Sequence, residues 1–330
     1  MDNILLLLIL MFFMFEESKD DPFDRKNTHA LKGICAVAIV FRHLLDYSND
    51  LVSGKLFNNG FLFVAVFFLI SGYGYGLSLN QNVKSFAFLL NRLVKIIVPF
   101  GIVATLRTIL YIGFDFNYDF KNIKLGTYVP YSWYVYAIIF FYIAYFFVCF
   151  IDKPEYRVLL FGSLLIIYIF ICVFLLNNVG ISWYMAVGAL WMGTILGEFP
   201  QIKASILKYR NVAILSCAAG YLFFIRYYDC YDIGSCILQN ITVIFFALLI
   251  VLISSKINIV NKFTDRLGGI SYEIYLLQGL TLQMIYRYMD IGSKTIMIGV
   301  VILLNVLMAY CVNVIDQKLI KDIIRKLKLS

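Results

Sequence analysis

Charge is scarce in this chain of 330 residues: Asp, Glu, Lys and Arg together make up 15%, against about 25% in ordinary globular proteins. Proline is scarcer still, with five in all, and the two histidines are His29 and His43. So little charge excludes a solvated disordered chain and argues against a nucleic-acid-binding domain. No stretch rich in proline, glycine or serine offers a linker at which separate domains would divide. Seven cysteines are too few for a disulfide-built secreted scaffold. No Cys/His cluster has metal-ligand spacing, so no metal site is expected. GxGxxG, GxxxxGK[ST] and GxSxG are all missing, which removes support for nucleotide hydrolysis and for a serine-elbow hydrolase.

Apolar side chains fill the chain instead. Hydrophobic residues reach 62%, with 30 Phe and 24 Tyr, and the mean hydropathy is +0.85. Stretches long enough to cross, or nearly cross, a hydrocarbon core of about 30 Å lie at 31–47, 56–79, 96–114, 131–150, 157–176, 181–197, 211–226, 236–253, 268–287 and 295–315. Backbone in lipid must satisfy its own hydrogen bonds, and no period-2 alternation supports a barrel, so these stretches are read as helices. The expected fold is all-α: a polytopic membrane bundle of about ten transmembrane helices. It would comprise an N-terminal apolar segment at 1–23, the ten-helix domain at 24–315 and a basic tail at 316–330. Residues 4–15 are apolar but short for a span. They lack a basic segment before them and run into acidic EESKDD, so they read as an interfacial helix or an extra span, not a signal peptide.

The net charge of +8 is mostly a topology signal. With the first span starting on the cytoplasmic side, 20 of the 28 Lys and Arg fall on inner segments, which places the C-terminus in the cytoplasm and the chain in the cell membrane. The tail DQKLIKDIIRKLKLS reads as a basic amphipathic helix on the inner leaflet. Cys230 and Cys236 share an outer loop, where they either pair or stay reduced.

Polar groups at membrane depth are costly and therefore candidates for function. The first span carries Lys32 at its start and Arg42, His43 and Asp46 towards its end. Lys32 and His43, 11 residues apart, project from one helix face about 16 Å apart along the axis. That spacing suits a long anionic ligand held at one end and reacting at the other; the alternative is a snorkelling lysine and an interhelix hydrogen bond. Arg107 and Glu273 need partners inside a bundle, whether a ligand site or a buried ion pair. Trp133 is either a belt or core aromatic or faces a sugar, and Tyr272 and Tyr275 either line one cavity or pack.

Five motifs, in order, carry a resemblance: LKGICAVAIVFRH (31–43), FFLISGY (67–73), RLVKIIVP (92–99), SWYVYAIIFFY (132–142) and GGISYEIYLLQ (268–278). The set resembles the acyltransferase 3 family of integral-membrane O-acyltransferases, over roughly 24–315. That family has helices of the types L-R-G-I-A-A-x5-H, FF-x-L-S-G-F, R-x-x-R-I-x-P and G-x-I-S-Y-x-Y-L-x-H. The resemblance implies acyl-CoA, entering from the cytoplasm, as co-substrate with no bound cofactor. Lys32, Arg92 and Lys95 would meet its phosphates, and His43 would be the general base on an acceptor hydroxyl of a cell-surface or lipid-linked sugar. An imidazole, with an ordinary pKa of about 6.5, suits that work. Asp46 would orient His43 or neutralise Arg42. Lys32 and Lys95 stand where the family has arginine, keeping charge without the planar fork. Ala65 stands where many members have Asp, and Gln278 stands at the late histidine. The competing class is an exporter or transporter of a polysaccharide or small acid; the basic cluster at one mouth and the single deep histidine favour the enzyme, and no inverted repeat is evident.

Overall fold

The computed structural model describes residues 21–45, 60–80, 85–113, 128–176, 179–226, 233–288 and 294–327. Residues 1–20, Asp46 and Cys230 lie outside them, and with them the N-terminal segment, one accessory residue and one member of the cysteine pair; Cys236 is buried.

Among the described residues there is no strand, in keeping with the all-α class. The helices are α1 (Arg25–Leu45), α2 (Phe61–Asn80), α3 (Phe86–Gly113), α4 (Trp133–Val148), α5 (Pro154–Phe170), α6 (Ser182–Met185), α7 (Val187–Glu198), α8 (Pro200–Lys208), α9 (Arg210–Phe224), α10 (Ile233–Ser254), α11 (Lys262–Gly269), α12 (Ser271–Tyr288) and α13 (Lys294–Lys326). Five helical segments among the described residues are long and apolar enough to cross a membrane: Phe61–Ser78, Phe86–Ile112, Pro154–Leu175, Ser235–Ser254 and Ile296–Lys326. The side chains follow the logic of lipid. On α13, Leu303, Leu307, Tyr310 and Val314 recur at helical spacing and are exposed, while Asn305 and Asp316 are each 1% exposed. Apolar outside and polar inside is the arrangement a bilayer selects. The chain is a membrane protein.

The chain folds as two compact units. The first is built from the described residues of Met1–Ala38, Ser53–Val83 and Ile151–Gly269, the second from those of Ile39–Val52, Lys84–Phe150 and Ile270–Ser330.

In the first unit, α2 and α7 approach through paired glycines. A Cβ on Gly72 would lie 2.0 Å from the Leu190 carbonyl oxygen, and one on Gly193 would lie 2.1 Å from that of Leu69. Gly76 and Gly197, one turn on, meet in the same way. Each helix thus presents a G-x-x-x-G, the small-residue spacing that lets membrane helices close to backbone contact. The apolar stretch 181–197 breaks at Ala186 into α6 and α7. Asn240 of α10 spans that break: its Oδ1 accepts from the Gly188 amide at 2.7 Å and its Nδ2 donates to the Tyr184 carbonyl at 3.1 Å. A side chain thereby satisfies the backbone groups that the interrupted helix leaves over. Helix α5 starts at Pro154 in its first turn, followed by Glu155, both favoured at a helix start. It ends in a π turn over Ile171–Leu175.

The second unit packs α3, α4, α12 and α13. Ile138, Phe141, Ile274, Leu277 and Leu282 are among its fully buried side chains. The final helix does not stop at residue 315 but runs unbroken to Lys326, so the basic tail continues the last span.

Candidate active site

His43 lies in the last turn of α1, half-buried, with its imidazole stacked on the ring of Tyr131. The ring centroids are 3.7 Å apart and the planes 25° from parallel. Tyr131 has φ 63°, and among the described residues it is the only non-glycine residue with positive φ. A bulky aromatic in the left-handed region is a genuine outlier, costing about 1–3 kcal/mol. Three neighbours hold it there. The Tyr275 hydroxyl of α12 donates to the Tyr131 carbonyl. Gly279, one turn further along α12, leaves room for Pro130: a Cβ there would be 2.4 Å from the Pro130 Cβ and 3.1 Å from the Tyr131 ring. The stack on His43 itself contributes about 0.5–1.5 kcal/mol, the usual range for aromatic pairs.

The surrounding shell is aromatic and tied to backbone. Tyr134 meets Tyr275 edge to face at 5.4 Å. The Tyr272 hydroxyl donates to the Ile96 carbonyl of α3 at 3.1 Å, in the helix that contains Pro99. Pro99 has no amide to donate to the Lys95 carbonyl, one residue before the carbonyl that Tyr272 reaches. Trp133 opens α4, is buried, and lies edge-on to Tyr134 at 6.4 Å.

The remaining candidates fall as follows. Arg107, 2% exposed, donates to the Tyr111 hydroxyl at 2.7 Å, and that hydroxyl donates to Gln283 Oε1 at 3.2 Å. The guanidinium also lies over the rings of Tyr111 and Tyr128, at 4.8 and 5.4 Å. Glu273, 5% exposed, accepts from Asn313 Nδ2 at 3.1 Å. The two buried charges are thus held by different partners, through hydrogen bonds and aromatic faces. Lys32 and Arg42 are half-buried on α1, the former in the part of the helix that belongs to the first unit. Arg92 is half-buried over the Phe88 ring at 5.0 Å, and Lys95 is exposed one turn later on α3. The second unit therefore gathers parts of four of the five motifs: His43, the SWY segment, the SYEIY segment and Ile96.

A family of sequences matches this chain over residues 26–314, under the description acyltransferase domain. The chain belongs to the acyltransferase 3 family. No curated protein and no solved structure shows a significant match. As an acyltransferase 3 protein it is a membrane acyltransferase, and the resemblance read from its five motifs is a true membership. In this acyltransferase the glycine-bearing ends of two motifs also meet within the first unit, where Gly33 lies against the Gly268 amide. Gln278, at the family's late histidine, is fully buried, and its side-chain amide has no hydrogen-bond partner among the described residues. Sequence reasoning missed Pro130, Tyr131 and Gly279 as site residues. No local signal marks a tyrosine for positive φ, and the only hint was a glycine following the last motif.

Proposed function

We propose that this acyltransferase moves an acyl group, acetyl by preference, from acyl-CoA to a hydroxyl of a cell-surface or lipid-linked carbohydrate, in the cell membrane and with its C-terminus in the cytoplasm. The observation that carries the reading is the imidazole of His43, one of two histidines in the chain, stacked on Tyr131 in the turn just before the SWY segment of a membrane acyltransferase domain. In the proposed reaction a ring nitrogen of His43 takes the proton from the acceptor hydroxyl. The oxygen attacks the thioester carbonyl, the carbon–sulfur bond breaks, and the CoA thiolate leaves and is protonated. Arg92 and Lys95, one turn apart at the start of α3, are the cations assigned to the phosphates of the donor. As an ammonium group Lys95 binds phosphate as a point charge. Arg42, Arg107 and Glu273 act as charged supports of the helices around this chemistry, and Trp133 and Tyr272 as its aromatic wall.

The test is transfer of labelled acetyl from acetyl-CoA to envelope glycan by the purified full chain, with mass spectrometry of the product. His43→Ala and His43→Gln are expected to lower the rate about 10²–10⁴-fold, the usual worth of a general base, with membrane insertion unchanged. Near-normal transfer by His43→Ala would remove His43 from the mechanism.

A further inference from the structure

The ring stacked on His43 is not one that its own helix supplies. It comes from a turn between the described stretch beginning at residue 128 and the start of α4, and that turn is held in a conformation tyrosine avoids. A strained residue persists only where its surroundings over-determine it, and such residues gather where geometry serves chemistry. Here the over-determination is visible: a hydroxyl on the carbonyl, a glycine cut-out under the proline, and the imidazole face.

We propose that Tyr131 is the positioning residue for His43, and that the strained Pro130–Tyr131 turn, clamped by Tyr275 and Gly279, sets the plane in which the imidazole meets its acceptor. The inference rests on the reading of His43 as general base. Stacking on Tyr131 fixes the plane of the imidazole, and a ring nitrogen takes a proton in that plane, so the acceptor hydroxyl must approach in the plane that Tyr131 dictates. The ring then has a second effect. Proton uptake turns His43 into an imidazolium, and a cation within about 6 Å of an aromatic centroid is attracted by the negative ring face. That attraction strengthens as the reaction proceeds, which is the condition for accelerating a step. Tyr131 has no proton to give or take in this scheme; its work is done by its ring and its backbone angle.

The experiment uses the full chain in lipid nanodiscs, with labelled acetyl-CoA as donor and envelope glycan from a deletion strain as acceptor. Variants Y131A, Y131G, Y131F, G279A and H43A are compared for kcat, for the KM of acetyl-CoA and for thermal unfolding. Y131A and Y131G are expected to lose about 10–100-fold in kcat, the scale of a misplaced reacting group, with KM changed by less than about twofold. Y131G is expected to unfold at or above the wild-type temperature, because glycine adopts positive φ without strain. A residue of merely structural worth would not lose activity while gaining stability. Y131F keeps the ring and is expected to recover most of the rate lost in Y131A. G279A displaces the turn and is expected to lose kcat in the same way. Wild-type kcat in Y131G, or Y131F as slow as Y131A, overturns the proposal. H43A separates the two readings: if it is inactive while Y131G is fully active, the base stands and the positioning role fails. If H43A itself is active, the base reading fails first.

Discussion

Arg157 and Glu198 form an ion pair at 2.7 Å, with side chains 8% and 0% exposed. The other arm of the guanidinium donates to the carbonyls of Ile151 and Asp152, each at 3.3 Å, so the pair also closes the turn before α5. Two charges out of water attract strongly, yet both have already lost their hydration, and the damage from losing one partner exceeds the worth of the pair. Glu198→Ala is therefore expected to destabilise the protein by about 3–5 kcal/mol, read as a lowered unfolding temperature of the purified chain in detergent. A change near zero would mean that the site opens to water. Spacing could not reveal this pair. Arg157 reads as one more cytoplasmic cation, and its partner is 41 residues away. His43 stands out as a candidate for the opposite reason: an imidazole within an apolar run is conspicuous without any knowledge of its neighbours. Tyr131, common in type and strained only in its backbone, shows itself only in three dimensions.

Helices α2 and α7 are in contact because four positions carry no side chain. A Cβ on Gly72 or Gly193 would have to displace a backbone oxygen, which cannot rotate away. Gly72→Ala and Gly193→Ala are each expected to cost about 1–3 kcal/mol, as overpacking does. Gly74 lies on the same helix between Gly72 and Gly76, and a Cβ there would meet nothing within 4 Å. Gly74→Ala is expected to be neutral or stabilising by up to about 1 kcal/mol, since alanine favours the helix. Equal unfolding temperatures for Gly72→Ala and Gly74→Ala would sink the backbone-contact account. At this scale the sequence is informative about existence and poor about edges. All ten apolar stretches contain helix, because unbroken hydrophobicity leaves the backbone no other hydrogen-bonded form in lipid. What periodicity could not give is the break at Ala186, because the residue that stabilises it, Asn240, belongs to another helix. The sequence did give a helical tail past residue 315, though not its unbroken junction with the last span, where polarity rises but no proline or glycine ends the helix.

For the whole molecule the decisive quantity is which side faces the donor. Lys and Arg are retained on the cytoplasmic side, and 20 of the 28 sort to one set of segments. A reporter fused after Ser330 is expected to lie in the cytoplasm, and one inserted within 115–125 outside; the reverse at either site breaks the orientation on which a cytoplasmic acyl-CoA depends. The charges near the start of α3 then make a separate demand. If Arg92 and Lys95 hold phosphates, Arg92→Gln with Lys95→Gln should raise the KM for acetyl-CoA by several-fold while kcat changes little, because an interaction equal in ground and transition states affects binding alone. Added salt should raise the wild-type KM in the same direction, since exposed charges are screened within a Debye length of about 8–10 Å, and should affect the double variant less. Lys32→Gln enters the same series, with Lys32→Arg, the family's residue, expected to be tolerated. Should all three neutralisations leave KM and its salt dependence unchanged, these cations orient the chain in the membrane and the donor is held elsewhere.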